Sequence, residues 1–229
     1  MTRREAACEF DMNFCLWFLK SEALDSKMER RTHTALLLFG FLLAAVRPAM
    51  AASAPSHQRI AMLKINREYD KRTVIKKSLI PNAGNGLFAA VKIKKGEVIG
   101  ELGGRLAMEN DPALGNHYIA AIPECAWKET RPYKYLDSKD SGAHVSRINF
   151  APSKINGIET GFQNAGVKQL CRHPYFIFVA LKDIDPGTEI WSSYGPHYDY
   201  DRFMSDPKVQ KFFCDLAKIN CQVKFTFEH

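Results

Sequence analysis

One tyrosine lies where the sequence predicts that a strand ends in a bend. Tyr175–Leu181 is an apolar run of strand length, rich in β-branched and aromatic residues, and Asp185–Gly187 has the composition of a tight turn. An extended segment, Glu189–Trp191, then stops at Ser192–Gly195, where glycine permits a bend. The pattern predicts two strands that present the phenol of Tyr194 at this bend. The alternative is an ordinary hairpin with a tyrosine in its core.

A loop rich in asparagine and glycine is the second candidate for function. Asn82, Gly84, Asn85 and Gly86 permit left-handed backbone conformations and the close approach of a ligand, and Leu87–Ala89 follows as a strand entry. Taken alone, these residues suit a hairpin turn equally well.

Three stretches of the chain resemble the SET domain of protein lysine methyltransferases. Residues 180–195 resemble the end of that domain, where a turn and a short strand lead into the catalytic tyrosine. Residues 81–104 resemble its opening glycine motif, and residues 135–151 its asparagine motif. The blocks follow the family's order over residues 75–200, which is a domain-like length. The resemblance implies a mainly β (α+β) fold with a few short helices: several small antiparallel sheets around a knot-like crossing, and a C-terminal helix.

The resemblance also implies roles for individual residues. Tyr194 is expected to orient the target lysine, and Tyr118 to lie beside that lysine, although a core tyrosine is an equal reading of Tyr118. The other expected site residues contact the cofactor, S-adenosylmethionine: Gly84, Asn85, Gly86, Leu87, Phe88, Asn149 and Phe150.

The asparagine motif departs from the family's pattern. Asn149 takes the place of the asparagine in "N-H-S", but Phe150 replaces the histidine, Ala151 the serine, and Ser146 an upstream arginine. A backbone contact to the cofactor survives Phe150, whereas the hydrogen bonds of a histidine side chain do not. The departure keeps open a catalytically inactive, PR-type protein-interaction module.

The chemistry that the resemblance implies is the transfer of a methyl group to a lysine side chain of a protein substrate. A lysine ammonium, whose pKa is about 10.4 in water, must first lose a proton. Desolvation in an apolar channel lowers that pKa, and aromatic walls hold the cation. The mechanism is therefore expected to rest on positioning and electrostatics rather than on a covalent intermediate.

The composition, 46% hydrophobic and 25% charged over 229 residues, is that of one globular domain with extensions. The formal net charge is +7, and residues 59–77 hold seven lysines or arginines against Glu68 and Asp70. That segment suits an acidic partner, with a solvated flank as the alternative. Nucleic-acid binding is not favoured, because no aromatic platform is interleaved there.

The cysteines and histidines predict no metal site. The six cysteines include no C-x-x-C pair, so neither a zinc ribbon nor a dense disulfide framework is indicated. Many relatives carry a cysteine-rich zinc cluster after the domain, and Cys214 and Cys221 are too few for it. His144, His173 and His197 are scattered singly and are expected to be surface or core residues.

Four regions are predicted along the chain: an N-terminal extension (1–57), a basic flank (58–74), a SET-like catalytic domain (75–200), and a C-terminal helix and tail (201–229). Within the extension, residues 28–51 have a basic start, an apolar run of 12 residues and a small-residue end, as in a signal peptide. The run is too short for a stable membrane span, which needs about 20 residues. A targeting role predicts the secretory pathway or an organelle; otherwise the nucleus or cytoplasm is expected. A docked N-terminal helix is the further alternative.

Short elements are predicted at both ends of the domain. Ile60–Lys71 suits a short helix and Thr73–Ser78 a first strand. Ser205, with Pro207 two positions later, suits the start of an amphipathic helix whose apolar positions run from Val209 to Ile219. Phe225 and Phe227 suit a core strand, with the wall of a lysine channel as the alternative.

Overall fold

Short β-strands make up most of the regular structure of this chain. The structure, a computed structural model, describes residues 61–195, 198–221 and 225–229. The signal-peptide-like segment 28–51, the boundary at residue 57 and His197 lie outside these residues, so the predictions about them stay predictions.

Fourteen strands lie within the described residues, each two to five residues long: β1 Met62–Leu63, β2 Thr73–Lys77, β3 Asn85–Ala89, β4 Val98–Glu101, β5 Gly104–Ala107, β6 Ile119–Ala121, β7 Tyr135–Asp137, β8 Asn149–Phe150, β9 Lys154–Ile155, β10 Ile158–Glu159, β11 Ala165–Gln169, β12 Phe176–Ala180, β13 Glu189–Ser192 and β14 Phe227–Glu228.

Helices are few and short. The α-helices are α1 Trp127–Thr130, α2 Asp201–Met204 and α3 Pro207–Ala217, and single 3₁₀ turns span Arg67–Arg72, Pro112–Gly115, Glu124–Ala126 and His144–Arg147. Among the described residues, no helix has both the length and the apolar character needed to cross a membrane.

The strands form four small sheets, in the orders β1-β5-β7-β6, β2-β3-β13-β8, β11-β12-β4 and β10-β9-β14. Neighbouring strands are antiparallel except for β8 and β13, which run parallel and pair Asn149 with Trp191 and Phe150 with Ser192. This pairing carries the asparagine motif across the end of β13. The predicted mainly β fold of small sheets with a crossing is confirmed.

The predicted strand–turn–strand unit is present. β12 is buried between β4 and β11, which explains its continuous apolar run. At the turn, the Thr188 N–H donates to the Asp185 carbonyl at 3.1 Å, and Gly187 has a φ of +84° that suits glycine. β13 then pairs with β3, and every residue of β13 is buried.

Two predicted helix positions need correction. Ile60–Lys71 is not one helix, because Met62 and Leu63 pair with β5 and only Arg67–Arg72 forms a 3₁₀ turn. The cap of α3 is Asp206 rather than Ser205: its carboxylate accepts a hydrogen bond from the Lys208 N–H at 2.8 Å, and Pro207 takes the first helical position.

The insertion at residues 152–162 and the chain end form one sheet. β9 and β10 make a hairpin within the insertion, and β14 pairs with the outer edge of β9. Phe227 lies in β14, as the core-strand prediction requires, and its ring is 6.3 Å from that of Phe150 between centroids.

Two disulfides are present, although the cysteine spacing indicated no dense disulfide framework. Cys125 pairs with Cys171, linking the turn before α1 to the loop between β11 and β12. Cys214 pairs with Cys221, linking α3 to the segment that leads to β14. Sequence spacing does not reveal either pair, because folding rather than spacing brings the Cα atoms to 5.1 and 6.1 Å.

Candidate active site

Tyr194 lies at the bend after β13 and lines a pocket of about 100 Å³. Its hydroxyl donates a hydrogen bond to the Ile148 carbonyl at 2.7 Å, immediately before β8. The crossing of β8 and β13 therefore fixes where the phenol points. The residues around the pocket are mostly apolar or aromatic and include Leu102, His117, Tyr118, Ile119, Ile148, Phe178 and Tyr198.

The environment of Tyr194 keeps its phenol neutral. Burial raises the pKa of Tyr194 well above its ordinary value, and the neighbouring Tyr198, Tyr118 and Tyr200 raise it further. A neutral phenol that already donates to a carbonyl still has lone pairs that accept a hydrogen bond. Tyr194 is thus suited to hold an amine N–H.

Two further tyrosines face the same pocket. Tyr118 lies just before β6 and is 37% exposed, and the Arg147 guanidinium lies 4.6 Å from the centre of its ring. Tyr198 packs edge-on against Tyr194, with ring centroids 4.7 Å apart. The structure therefore places Tyr118 and Tyr194 at one pocket, where their catalytic roles stay predictions. It adds Tyr198, which no strand or helix period in the sequence marks.

The glycine-rich loop has an open part and a buried part. Asn82 and Gly84 have φ values of +61° and +71°, and a Cβ at Gly84 would meet no atom within 4 Å. Gly84 and Asn85 are exposed, whereas Gly86, Leu87 and Phe88 are buried within β3 between β2 and β13. The backbone available to a ligand is therefore that of residues 82–85. The proposed cofactor contacts of Leu87 and Phe88 stay predictions.

A buried glutamate leaves no room for a side chain at position 86. A Cβ at Gly86 would lie 2.0 Å from Oε1 of Glu189, a residue that is only 2% exposed. Glu189 accepts hydrogen bonds from the Ser78 hydroxyl at 2.7 Å and from the Leu79 N–H at 2.8 Å. It thereby anchors the start of the glycine loop to β13.

Asn149 joins this loop to the crossing. Its amide nitrogen donates to the Asn85 carbonyl at 3.1 Å and to Oε1 of Glu189 at 3.2 Å. Within the described residues its Oδ1 has no hydrogen-bond partner, so it remains able to accept one from the amine of a bound cofactor. This acceptor and the open space at Gly84 fit S-adenosylmethionine.

Phe150 contributes packing and backbone to the site. Its side chain is 2% exposed, and its ring lies 4.3 Å from the ring of Tyr200 between centroids. Ile148 and Asn149 are adjacent, so the tyrosine pocket and the predicted cofactor loop meet at one point of the chain. No group of three or more His, Cys, Asp or Glu side chains in the described part of the chain is arranged to hold a metal ion.

Three cations of the basic flank pair with neighbouring carboxylates. Arg67 pairs with Asp70 at 3.3 Å and Lys71 with Glu68 at 2.6 Å. Arg72 pairs with Glu97, which lies outside the flank, at 2.5 Å. These pairs leave fewer cations for the predicted acidic partner, which stays a prediction.

Several solved structures are similar to this chain. The Chaetomium thermophilum polycomb repressive complex 2 has 24% identity and a TM-score of 0.44, with 56% of this chain and 16% of that chain covered. The methyltransferase domain of human PR domain-containing protein 2 has 17% identity and a TM-score of 0.41, with 64% and 97% covered. KRYPTONITE has 21% identity and a TM-score of 0.40, with 60% and 25% covered. The chain thus spans only 16% of the polycomb chain that it matches.

No curated protein sequence is significantly similar to the chain. The family model of the SET domain matches residues 84–195. The matched range begins at the open glycine of the loop, passes through Tyr118 and Asn149, and ends at the bend beside Tyr194. Residues 84–195 of this chain therefore belong to the SET-domain family.

Proposed function

We propose that this chain transfers a methyl group from S-adenosylmethionine to the side chain of a lysine in a protein substrate. The observation that carries the proposal is the position of the Tyr194 hydroxyl. It is held by the Ile148 carbonyl at 2.7 Å and faces a pocket that Tyr118 and Tyr198 also line. The match of residues 84–195 to the SET domain, which resembles that of protein lysine methyltransferases, supports the same reaction.

The pocket suits a lysine side chain. Its aromatic rings stabilise an ammonium group through cation–π interactions, and its apolar walls favour the neutral amine over the charged form. The neutral amine, after losing its proton to water, has a lone pair free to attack. The Tyr194 hydroxyl accepts one of the amine N–H groups and so orients that lone pair.

The cofactor, when bound, supplies a methyl group on a positively charged sulfur, and the positive charge passes to the lysine nitrogen as the methyl is transferred. The residues that would hold it are Gly84, Asn85 and Asn149. Asn149 is kept in place by Glu189 and by the Asn85 carbonyl, so its free Oδ1 is preorganised to accept a hydrogen bond. No residue of the chain needs to form a covalent intermediate.

One observation favours a second candidate, an inactive module that binds a protein. Phe150 is fully apolar and buried where the family's motif has a histidine, so its side chain has no polar group to offer a cofactor. If the fold is kept for binding alone, the chain has no need of the cofactor.

Cofactor binding separates the two functions. Titration of the full chain with S-adenosylmethionine in a calorimeter should give saturable heat and raise the melting temperature, because a ligand that binds only the folded state stabilises it. Radiolabelled S-adenosylmethionine, incubated with the chain and a mixed cell extract, should then label a protein band. Asn149→Ala is the matched control and should weaken binding. A wild-type chain that shows neither heat nor a thermal shift contradicts the proposed function and supports the binding module.

A further inference from the structure

We propose that Tyr200 is a positioning residue for methyl transfer, because its hydroxyl clamps the bend that carries Tyr194. This inference rests on the proposed function and adds a residue to it. No motif of the sequence marks Tyr200 as a functional residue, since it follows the matched SET range.

One hydroxyl satisfies the backbone on both sides of the bend. The Tyr200 oxygen accepts a hydrogen bond from the Tyr194 N–H at 3.0 Å and donates one to the Gly195 carbonyl at 2.7 Å. Neither backbone group has a strand partner, because β13 ends at Ser192; the Gly195 carbonyl also accepts a longer hydrogen bond from the Tyr198 N–H at 3.4 Å. A buried backbone group without a partner is costly, so this hydroxyl decides which conformation the bend takes. Gly195, with a φ of +85°, permits that conformation.

The ring of Tyr200 is itself held from several sides. It is 5% exposed and lies 4.3 Å from Phe150, 4.7 Å from His229 and 6.1 Å from Phe227, measured between ring centroids. Phe150 thus supports the clamp although it has no polar group. Burial raises the pKa of Tyr200 to about 12, so the hydroxyl keeps the proton that it donates to Gly195 at physiological pH.

The clamp and the phenol act on one residue. Tyr194 is tied to Ile148 through its side chain and to Tyr200 through its backbone, so the phenol has two fixed points. Methyl transfer depends on alignment, and a misplacement of about 1 Å can cost roughly 100-fold in rate. Releasing the backbone is therefore expected to lower the turnover rate and to leave the cofactor loop at residues 82–85 unchanged.

Tyr200→Phe in the full chain tests the clamp, since it removes the hydroxyl and keeps the ring. We expect kcat, measured with radiolabelled S-adenosylmethionine and the labelled protein purified from the extract, to fall about 10- to 100-fold. The KM and the calorimetric affinity for S-adenosylmethionine should stay within a factor of about two. Tyr175→Phe is the matched control: it removes a hydroxyl from a tyrosine that is 6% exposed in another core cluster, and kcat should not change.

Hydrogen exchange gives a readout that does not depend on turnover. In Tyr200→Phe, the Tyr194 amide should exchange about tenfold faster than in the wild type. The Trp191 amide, which donates to Oδ1 of Asn164 at 2.8 Å, should be unaffected. An active wild type whose Tyr200→Phe variant keeps both its kcat and its Tyr194 protection overturns the clamp and leaves the proposed function standing. Faster exchange with unchanged kcat limits Tyr200 to a structural role and also overturns the inference. A wild type that binds the cofactor but labels no protein overturns the proposed function, and the positioning role falls with it.

Discussion

The hydroxyl of Tyr194 donates a structural hydrogen bond and is also the group proposed to orient the amine. Removing it should therefore change both the stability and the turnover rate. Tyr194→Phe leaves the Ile148 carbonyl without its partner at 2.7 Å, which should cost about 1–3 kcal/mol of the free energy of unfolding. Loss of the group that orients the amine should lower kcat by orders of magnitude while the affinity for S-adenosylmethionine holds. Melting curves and labelled-methyl assays on the same preparations measure both effects.

The comparison that decides the role of Tyr194 is the rate per folded molecule. If Tyr194→Phe melts lower but methylates as fast as the wild type at a temperature where both are folded, the hydroxyl is structural only. Tyr175→Phe is again the suitable control, because it also deletes a tyrosine hydroxyl away from the pocket.

Glu189 is a second residue on which the candidate site depends, because it holds Asn149 and the start of the glycine loop although it does not line the tyrosine pocket. Both of its carboxylate oxygens accept hydrogen bonds, and Asn149 is one of the donors. In Glu189→Gln one carboxylate oxygen becomes an NH₂ group that faces a donor, either the Leu79 N–H or the Asn149 amide, so one of the hydrogen bonds that hold the glycine loop is lost. We expect a loss of about 1–3 kcal/mol in stability and a weaker affinity for S-adenosylmethionine in calorimetry. Glu159→Gln, at an exposed ion pair, is the control that should change neither.

At the scale of elements, the glycine loop offers a test that separates backbone conformation from packing. Gly84→Ala places its Cβ in open space, so its cost is that of a positive φ in a non-glycine residue, about 1 kcal/mol. Gly86→Ala places its Cβ 2.0 Å from the carboxylate of Glu189. That side chain is buried and is held by hydrogen bonds from Ser78 and Leu79. We expect Gly86→Ala to lower the melting temperature markedly more than Gly84→Ala.

Cofactor affinity extends this comparison of the two glycines. Gly84→Ala narrows the open part of the loop, whereas Gly86→Ala displaces Glu189 and with it Asn149. Both variants should therefore bind S-adenosylmethionine more weakly, and thermal melts with and without the cofactor measure stability and affinity together. Equal melting temperatures for the two variants would show that β3 moves to make room and would contradict the packing argument.

The elements that could be predicted from the sequence are those whose partners are close along the chain. β12, the Asp185–Gly187 turn and β13 follow from a continuous apolar run, a glycine and a short extended segment, because local composition specifies each of them. Asp206 rather than Ser205 caps α3, since either residue suits an N-cap and only the fold decides between them.

The parts of the site that the sequence does not reveal depend on distant contacts. Glu189 meets Ser78 and Leu79 across more than 100 residues, so nothing beside it in the chain marks it as an anchor of the loop. Tyr198 and Tyr200 follow a glycine bend and have no strand or helix period. The parallel pairing of β8 with β13 brings Asn149 close to the bend that carries Tyr194, and this pairing is likewise a property of the topology.

At the scale of the whole molecule, two disulfides cross-link the described part of the chain. Cys125–Cys171 joins parts of the chain that surround the core cluster containing Leu136 and Phe176. Cys214 belongs to the cluster that contains Phe150 and Tyr200, so its bond to Cys221 ties the chain end to the region beneath the active site. Such bonds persist in oxidising compartments, and the secretory alternative for residues 28–51 stays a prediction.

Reduction should therefore destabilise the protein. The two bonds should differ in their effects on the melting temperature and on methyl transfer. Loop-closure entropy assigns about 4 kcal/mol to the bond whose cysteines are 46 residues apart and about 2 kcal/mol to the one whose cysteines are seven apart. The paired variant Cys125→Ser with Cys171→Ser should lower the melting temperature more than Cys214→Ser with Cys221→Ser. The second pair should lower methyl transfer more, because it loosens β14 and the rings of Phe227 and His229 that support Tyr200. Melting curves with and without dithiothreitol, followed by labelled-methyl assays, measure both effects, and a protein that melts equally with and without reductant contradicts the stabilising role of both bonds.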